Sequence, residues 1–404
     1  MINIKKIKKE FPASNKPFVY LDSACSALKM KSSADAQMRF LLDYGSCGGK
    51  RAVYKNALRV EELYESARSD VANFINSQMD EIVFTSGTTD GFNILANSFK
   101  FKTGDEIIIS GLEHNSVFLP FYRISKEKGL KLKIIPIKNY QPSFDEFKKL
   151  VNKRTRVLCI SKASNFFGGT VRTEEIVSYA KKCGIKVFFD CAQYVSSHSI
   201  DVKALGADAI AFSGHKIGAP YGTGVLYIND LLYNFLNSSA VGGGTVKDIS
   251  ISNGKIDVKF LNKFYNFEGG IQNYSGAYAL SVAIKKLDEI SYFEIRKHVS
   301  SLVKYAVSEL NKIDGINIIG DELEEGSIVS FTSINKNFSY PDFSMFLSAQ
   351  NKPVSVRYGK LCADLASINT GIKSVIRLSF FVYNTEDDVN YFIRSLKKYL
   401  KLID

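Results

Sequence analysis

The segment Ala209–Lys216, AIAFSGHK, sets an apolar run before a hydroxyl, a glycine, an imidazole and an amine. If the run is a strand, Lys216 stands just beyond its carboxyl end, with Ser213 and His215 beside it. A lysine partly desolvated there has a lowered pKa and can form an imine with a carbonyl cofactor. An ordinary surface lysine is equally compatible with these few residues. Upstream, Lys186–Gln193 reads KVFFDCAQ, and Asp190 closes the apolar part. A carboxylate there could be solvated or cap a helix. It could also pair with the protonated nitrogen of a cofactor ring and keep that ring an electron sink. Lys216 and Asp190 end two successive runs, so one crevice could hold both.

Several further places carry weaker signals. In TSGTTDGFN, residues 85–93, glycine and Thr88-Thr89 open a helical stretch. Backbone amides at a helix start bind phosphate and threonine hydroxyls add donors, although plain N-capping uses the same residues. His114, in LEHNS, could stack on a flat ring and move protons near neutral pH, or be structural. Asn165 follows the run Val157–Ser161 and could bond a ring substituent or sit in a turn. Arg357 and Arg377 belong to two late apolar runs, and either could hold a carboxylate bidentately. Cys362, five residues after Arg357, could be an ionised nucleophile near cations or an inert small hydrophobe.

These residues need a scaffold that brings strand ends together. Residues 60–76 have helical spacing, followed by a β-like run at Glu81–Thr85. Apolar runs then recur at Ile107–Ser110, Leu132–Ile137, Val157–Ser161, Val187–Asp190, Ala209–Phe212 and Gly224–Ile228, with Thr173–Cys183 reading as a helix. Alternation of this kind means a mostly parallel sheet covered on both faces, with ligands beyond the carboxyl ends of its strands. After about residue 275, helices at Ala277–Ile290 and Phe293–Ile313 precede short strands at Ile328–Ser333, Val354–Arg357 and Val375–Phe380. A helix at Thr385–Leu402 closes the chain.

The 404 residues are 45% apolar and 23% charged, ordinary for a globular protein, and no apolar run approaches a membrane span. The basic start, Lys5 to Lys9, is not followed by the apolar stretch of a signal peptide. None of the six cysteines forms a C-x-x-C, so neither a zinc site nor a disulfide framework is indicated, and a cytoplasmic location is expected. The net charge of +12 is spread along the chain without an aromatic-basic RNA motif. We therefore expect no metal, nucleic acid or membrane, while an acidic partner protein or anionic cofactor stays compatible.

Taken together, the pieces EH at Glu113–His114, SN at Ser164–Asn165, DCAQ at Asp190–Gln193, SGHK at Ser213–Lys216, and R-x4-C with Arg377 resemble a known family. It is the class V, fold-type I pyridoxal-phosphate enzymes, particularly cysteine desulfurases, and the short separation of Cys362 from Arg377 resembles the group II, SUF-type branch. The resemblance runs from YLDSA at Tyr20 to the last helix. It implies an α/β fold: an N-terminal segment, 1–20, packing with the small domain; a large cofactor domain, 21–274, with a mostly parallel sheet; and a smaller C-terminal α/β domain, 275–404.

The resemblance also implies roles. Lys216 would be the Schiff-base lysine, Asp190 the partner of the pyridine nitrogen, Gln193 that of the ring hydroxyl, and His114 would stack on the ring. Thr89, Ser213 and His215 would hold the phosphate, with Thr88 close by. Asn165 and Arg377, with Arg357, would meet the substrate carboxylate, and Cys362 would accept sulfur as a persulfide. L-cysteine would yield L-alanine, and the sulfur would pass to an acceptor protein serving iron–sulfur cluster or thio-cofactor assembly. A homodimer is implied as well, with GGIQN, residues 269–273, donated across it. Four positions depart from many relatives: Ile271 replaces a threonine, Lys360 and Leu361 replace two histidines, and Tyr54 in CGGKRAVYK stands near a usual histidine. Selenocysteine lyase, another class V β-lyase or aminotransferase, and a basic scaffold protein without catalysis are the alternatives.

Overall fold

Strands Glu106–Ser110, Ala209–Ser213 and Gly224–Ile228 are buried at every position. Strands with no solvent face need cover on both sides, which helices supply. The computed structural model describes residues 2–49, 53–321 and 323–403. In it these strands belong to a seven-stranded sheet, ordered Ile82–Thr85, Gly224–Ile228, Ala209–Ser213, Lys186–Asp190, Thr155–Ser161, Glu106–Ser110 and Lys131–Ile135. All its pairings are parallel except those of Gly224–Ile228, which runs against both neighbours.

Local chemistry explains the helices. Lys55–Phe74 buries Val60, Leu63, Tyr64, Ala67 and Val71, a three-and-four spacing that makes one apolar stripe. Glu174–Lys182 carries two acids in its first turn and two lysines in its last, which complements the helix dipole. Asn115–Lys128 ends at Gly129, in the left-handed conformation that glycine adopts without a Cβ clash.

A second, four-stranded antiparallel sheet runs Ile316–Ile319, Ile328–Ser333, Val375–Ser379 and Arg357–Gly359. Helices Tyr292–Leu310 and Glu386–Ile403 pack with it. The single strand expected at Val354–Arg357 is in fact two pieces. Val354–Ser355 pairs in parallel with Val19–Tyr20, whereas Arg357–Gly359 pairs with Val375–Ser379. A third segment, the N-terminal one, supplies the partner for the first piece, and spacing within 354–357 cannot reveal that. The N-terminal segment also sets the Phe11 ring edge-on to Phe381 and Tyr383.

Val246–Ser252 and Lys255–Phe260 form an exposed antiparallel hairpin around Asn253 (φ 50°) and Gly254 (φ 74°). Asn-Gly between alternating apolar residues is a strong hairpin signal. Register opposes Ile249 to Val258 and Ile251 to Ile256. The early loop departure lies partly outside the description: residues 50–52 are not among those described, while Tyr54 precedes the Lys55–Phe74 helix.

One buried ion pair joins the large sheet to the segment after the hairpin. Arg68, on the 55–74 helix, donates to both oxygens of Glu268 at 2.8 Å and to the Ile82 carbonyl at 2.7 Å. Glu268 also accepts from the Phe84 amide at 2.7 Å and the Tyr64 hydroxyl at 2.9 Å. With both partners buried, removing one leaves an uncompensated charge. Glu268→Ala should therefore cost about 3–5 kcal/mol, and the double change Arg68→Met/Glu268→Leu far less. Urea denaturation followed by circular dichroism checks this, and equal losses in both proteins would deny the pair its role.

Candidate active site

Because the strands run parallel, their carboxyl ends share one edge of the sheet. Asp190 lies beside Ser161 on one side and Ala211 on the other. Lys216 follows the 209–213 strand by three residues, in the short helical turn Gly214–Lys216. Beyond this edge lies a cavity of ≈ 460 Å³. Every residue expected to hold cofactor, substrate or sulfur lines it: Thr88, Thr89, His114, Asn165, Asp190, Gln193, Ser213, His215, Lys216, Arg357, Cys362 and Arg377.

At one end, helix Thr88–Ser98 begins after Gly87, whose φ of 154° with ψ of −177° favours glycine. A Cβ on Gly87 would stand 3.0 Å from Ser213 Oγ. That close approach lets the Thr88 amide donate to Ser213 Oγ at 2.8 Å, with the two hydroxyls also 2.8 Å apart. Thr89 Oγ1 lies 2.6 Å from Ser116 Oγ. The result is a hydroxyl-rich rim at a helix start, which suits an anion.

Burial sets the electrostatics. It pushes the Asp190 carboxyl up to about 6, although the Ala192 amide at 2.8 Å and the charge of Lys216 hold it back. Burial, then the charge of Arg377, brings Lys216 down to about 8. The Lys216 ammonium donates to the Ala24 carbonyl, which also accepts from Gln193 Nε2 at 2.9 Å. Burial, then Lys216 and Arg377, lowers His114 to about 4, so its ring is neutral at pH 7. Its Nδ1 accepts from the Ser116 amide at 3.0 Å and caps the following helix. His215 falls to about 3, by burial and then the charges of Lys216 and Lys29.

The cavity's other wall comes from the four-stranded sheet. Arg377 is buried and donates to the Asn165 carbonyl and to Asp22 Oδ1, both at 3.1 Å. Arg357 is half-exposed, and its Nε and Nη2 donate to Asp22 Oδ2 at 3.1 and 2.8 Å. Leu361 and Cys362 have φ of 58° and 55°, the left-handed region that side chains rarely adopt. Two residues that follow strands of the large sheet hold this turn: Asn165 Nδ2 donates to the Leu361 carbonyl, and the Asn115 backbone amide to the Cys362 carbonyl, each at 2.8 Å. Cys362 itself is exposed. Of the departures, Lys360 pairs with Asp364 at 3.3 Å, while Ile271 lies out in solvent.

Glu113 and Asp22 lie within motifs named above, but spacing alone gives them, and Cys25 beside them, no role. Glu113 is wholly buried and bonds Ser110 Oγ at 2.5 Å and Ser161 Oγ at 2.7 Å, tying two strand ends. Asp22 and Cys25 come from the N-terminal YLDSAC segment. Their only signal was an acid and a thiol directly after a short apolar run.

The donor set fits pyridoxal phosphate. His215 Nδ1, Gln193 Oε1 and Arg377 Nε are buried without a protein partner, and all three residues line the cavity. They suit a phosphate, a ring hydroxyl and a carboxylate, and a ring cation beside Asp190 would add to Lys216 in offsetting its burial.

The chain matches the aminotransferase class-V family over residues 19–392. It is 36% identical to a probable cysteine desulfurase of Borreliella burgdorferi, across 99% of this chain and 97% of that protein. It is 30% identical to a cysteine desulfurase of an Enterobacter species, across 98% of each. The structure of a cysteine desulfurase from Thermococcus onnurineus superposes with a TM-score of 0.92 at 29% identity, covering 99% of both chains. One from Escherichia coli, in an S-sulfonic acid form, gives 0.90 at 28%, covering both completely. The chain belongs to the aminotransferase class-V family, with the fold-type I architecture and pyridoxal phosphate as its cofactor.

Proposed function

We propose that this protein is a pyridoxal-phosphate-dependent cysteine desulfurase that moves the sulfur of L-cysteine onto Cys362. The observation that carries the reading is the cavity itself. It holds a lysine of lowered pKa, a buried carboxylate, a buried arginine and an exposed thiol on a pinned turn.

When bound, the cofactor supplies an electrophilic carbonyl for the substrate amine and a ring that withdraws electrons from the substrate carbons. Lys216 would hold the cofactor through its amine and then carry the proton of the substrate Cα. Asp190 would face the ring nitrogen and keep it protonated, and Gln193 Oε1 would accept from the ring hydroxyl. Thr88, Thr89, Ser213 and His215 would bind the phosphate, and neutral His114 would face the ring without adding charge. Asn165 and Arg377 would receive the carboxylate, with Arg357 at the mouth. The Cys362 thiolate would attack the substrate sulfur. As the new S–S bond forms, the substrate C–S bond breaks and its electron pair stays with carbon, which is protonated to give alanine. Because Cys362 is exposed, the persulfide could pass to an acceptor protein.

A homodimer is part of this reading. Ile249, Ile251 and Ile256 on the hairpin are 58%, 74% and 70% exposed, and Leu41, Leu42 and Ile271 are also bare. A lone two-stranded hairpin is marginal in water, and a second copy would cover these residues. Among the described residues, no helix is long and apolar enough to cross a membrane.

Four outcomes are expected. Cys362→Ser should keep cofactor and its visible absorbance but lose sulfide and alanine production by orders of magnitude, since a serine hydroxyl is scarcely ionised at neutral pH. Mass mapping of the parent after brief exposure to L-cysteine should place one extra sulfur on the Cys362 peptide, and sulfur on another cysteine first would refute the assignment. Capture of pyridoxal phosphate by cofactor-free protein requires neutral Lys216. Its rate should therefore rise with pH and level off above about 8, not near 10 as for an ordinary lysine; stopped-flow absorbance reads this. Light scattering should give twice the chain's mass, and Ile249→Lys/Ile251→Lys should shift that towards the monomer.

A further inference from the structure

We propose that Asp22 is a positioning residue, which sets the guanidinium of Arg377 to receive the carboxylate of an amino-acid substrate. The inference rests on the functional reading above and adds the residue that prepares the substrate site.

The backbone fixes Asp22 first. It follows the Val19–Tyr20 strand and forms a parallel bridge with Ser379, two residues beyond Arg377. The Ser379 amide donates to the Leu21 carbonyl at 2.8 Å, and the Ala24 amide to Ser379 Oγ at 2.9 Å. The acid and the arginine are thus carried by directly bonded backbone segments.

The carboxylate is then divided between two cations. Oδ1 takes Arg377 Nη2, and Oδ2 takes Nε and Nη2 of Arg357. Arg357 and Arg377 are opposite each other in the sheet register, so without an anion between them they would repel. Arg357 is half-exposed and its Nη2 also reaches Cys25 Sγ at 2.8 Å, so water and a thiol share its charge. Arg377 is 3% exposed and has neither relief. Its plane is held at two points, by Asp22 and by the Asn165 carbonyl, while Nε stays buried and unpartnered. Asp22 therefore offsets the burial of Arg377 without filling all its donors. The spare donors belong to the cavity where the substrate carboxylate is expected.

Asp22→Asn keeps the shape but removes the charge and turns one acceptor into a donor facing a guanidinium. The cofactor-loaded protein is titrated with L-alanine and with cysteamine, which lacks the carboxylate, and visible absorbance is read. Asp22→Asn should weaken L-alanine by about tenfold or more, the worth of one charge-assisted hydrogen bond. Cysteamine should change less than twofold, and Asp22→Glu should regain part of the L-alanine affinity. Equal weakening of both ligands, failure of both variants to fold, or undiminished preference for L-alanine in Asp22→Asn would each overturn the positioning role. If the parent itself binds the two ligands alike, the failure lies earlier: Arg377 is then no carboxylate site, and the functional reading falls with it.

Discussion

Parallel pairing of the central strands is the constraint on which the site depends. It forces the carboxyl ends of neighbouring strands to one edge, so the residues that leave those ends share one cavity. The gathering is costly, since it withdraws a carboxylate and an amine from water. Asp190 and Lys216 register that cost as opposite shifts, each towards the neutral form. The same shifts suit them to a cofactor that brings a carbonyl for the amine and a cation for the acid. Glu113 is the supporting case: its bonds to Ser110 and Ser161 join two strand ends below the cavity.

The second wall has a different origin. Arg357 and Arg377 come from a small antiparallel sheet more than a hundred residues later in the chain, and Cys362 from the turn that follows its Arg357–Gly359 strand. The N-terminal segment reaches both structures: Leu21 bonds the small sheet, while the Ala24 carbonyl accepts from Lys216 and Gln193. The thiol turn is held from the opposite side by Asn115 and Asn165. Two consecutive left-handed residues in such a turn are unfavourable in isolation. Those backbone bonds help to fix the turn while the thiol lines the cavity and stays exposed to solvent.

The sequence by itself determined the elements and the chemistry. Apolar runs bounded the central strands to within a residue or two, because fully buried strands leave little choice of residue type. SGHK and DCAQ named the amine and the acid, and their place at strand ends made a shared crevice the natural reading. The hairpin at 246–260 was also legible, through Asn253-Gly254, but its exposed strands lack the long apolar runs that marked the others. What only the tertiary structure decided is how distant segments meet. Spacing could not show that Val354–Ser355 leaves its neighbours to pair with Val19–Tyr20, or that Asp22 stands between Arg357 and Arg377, since those contacts join residues more than three hundred positions apart. Local pattern records which face of an element is buried; which charges then oppose one another is fixed only when the chain closes on itself.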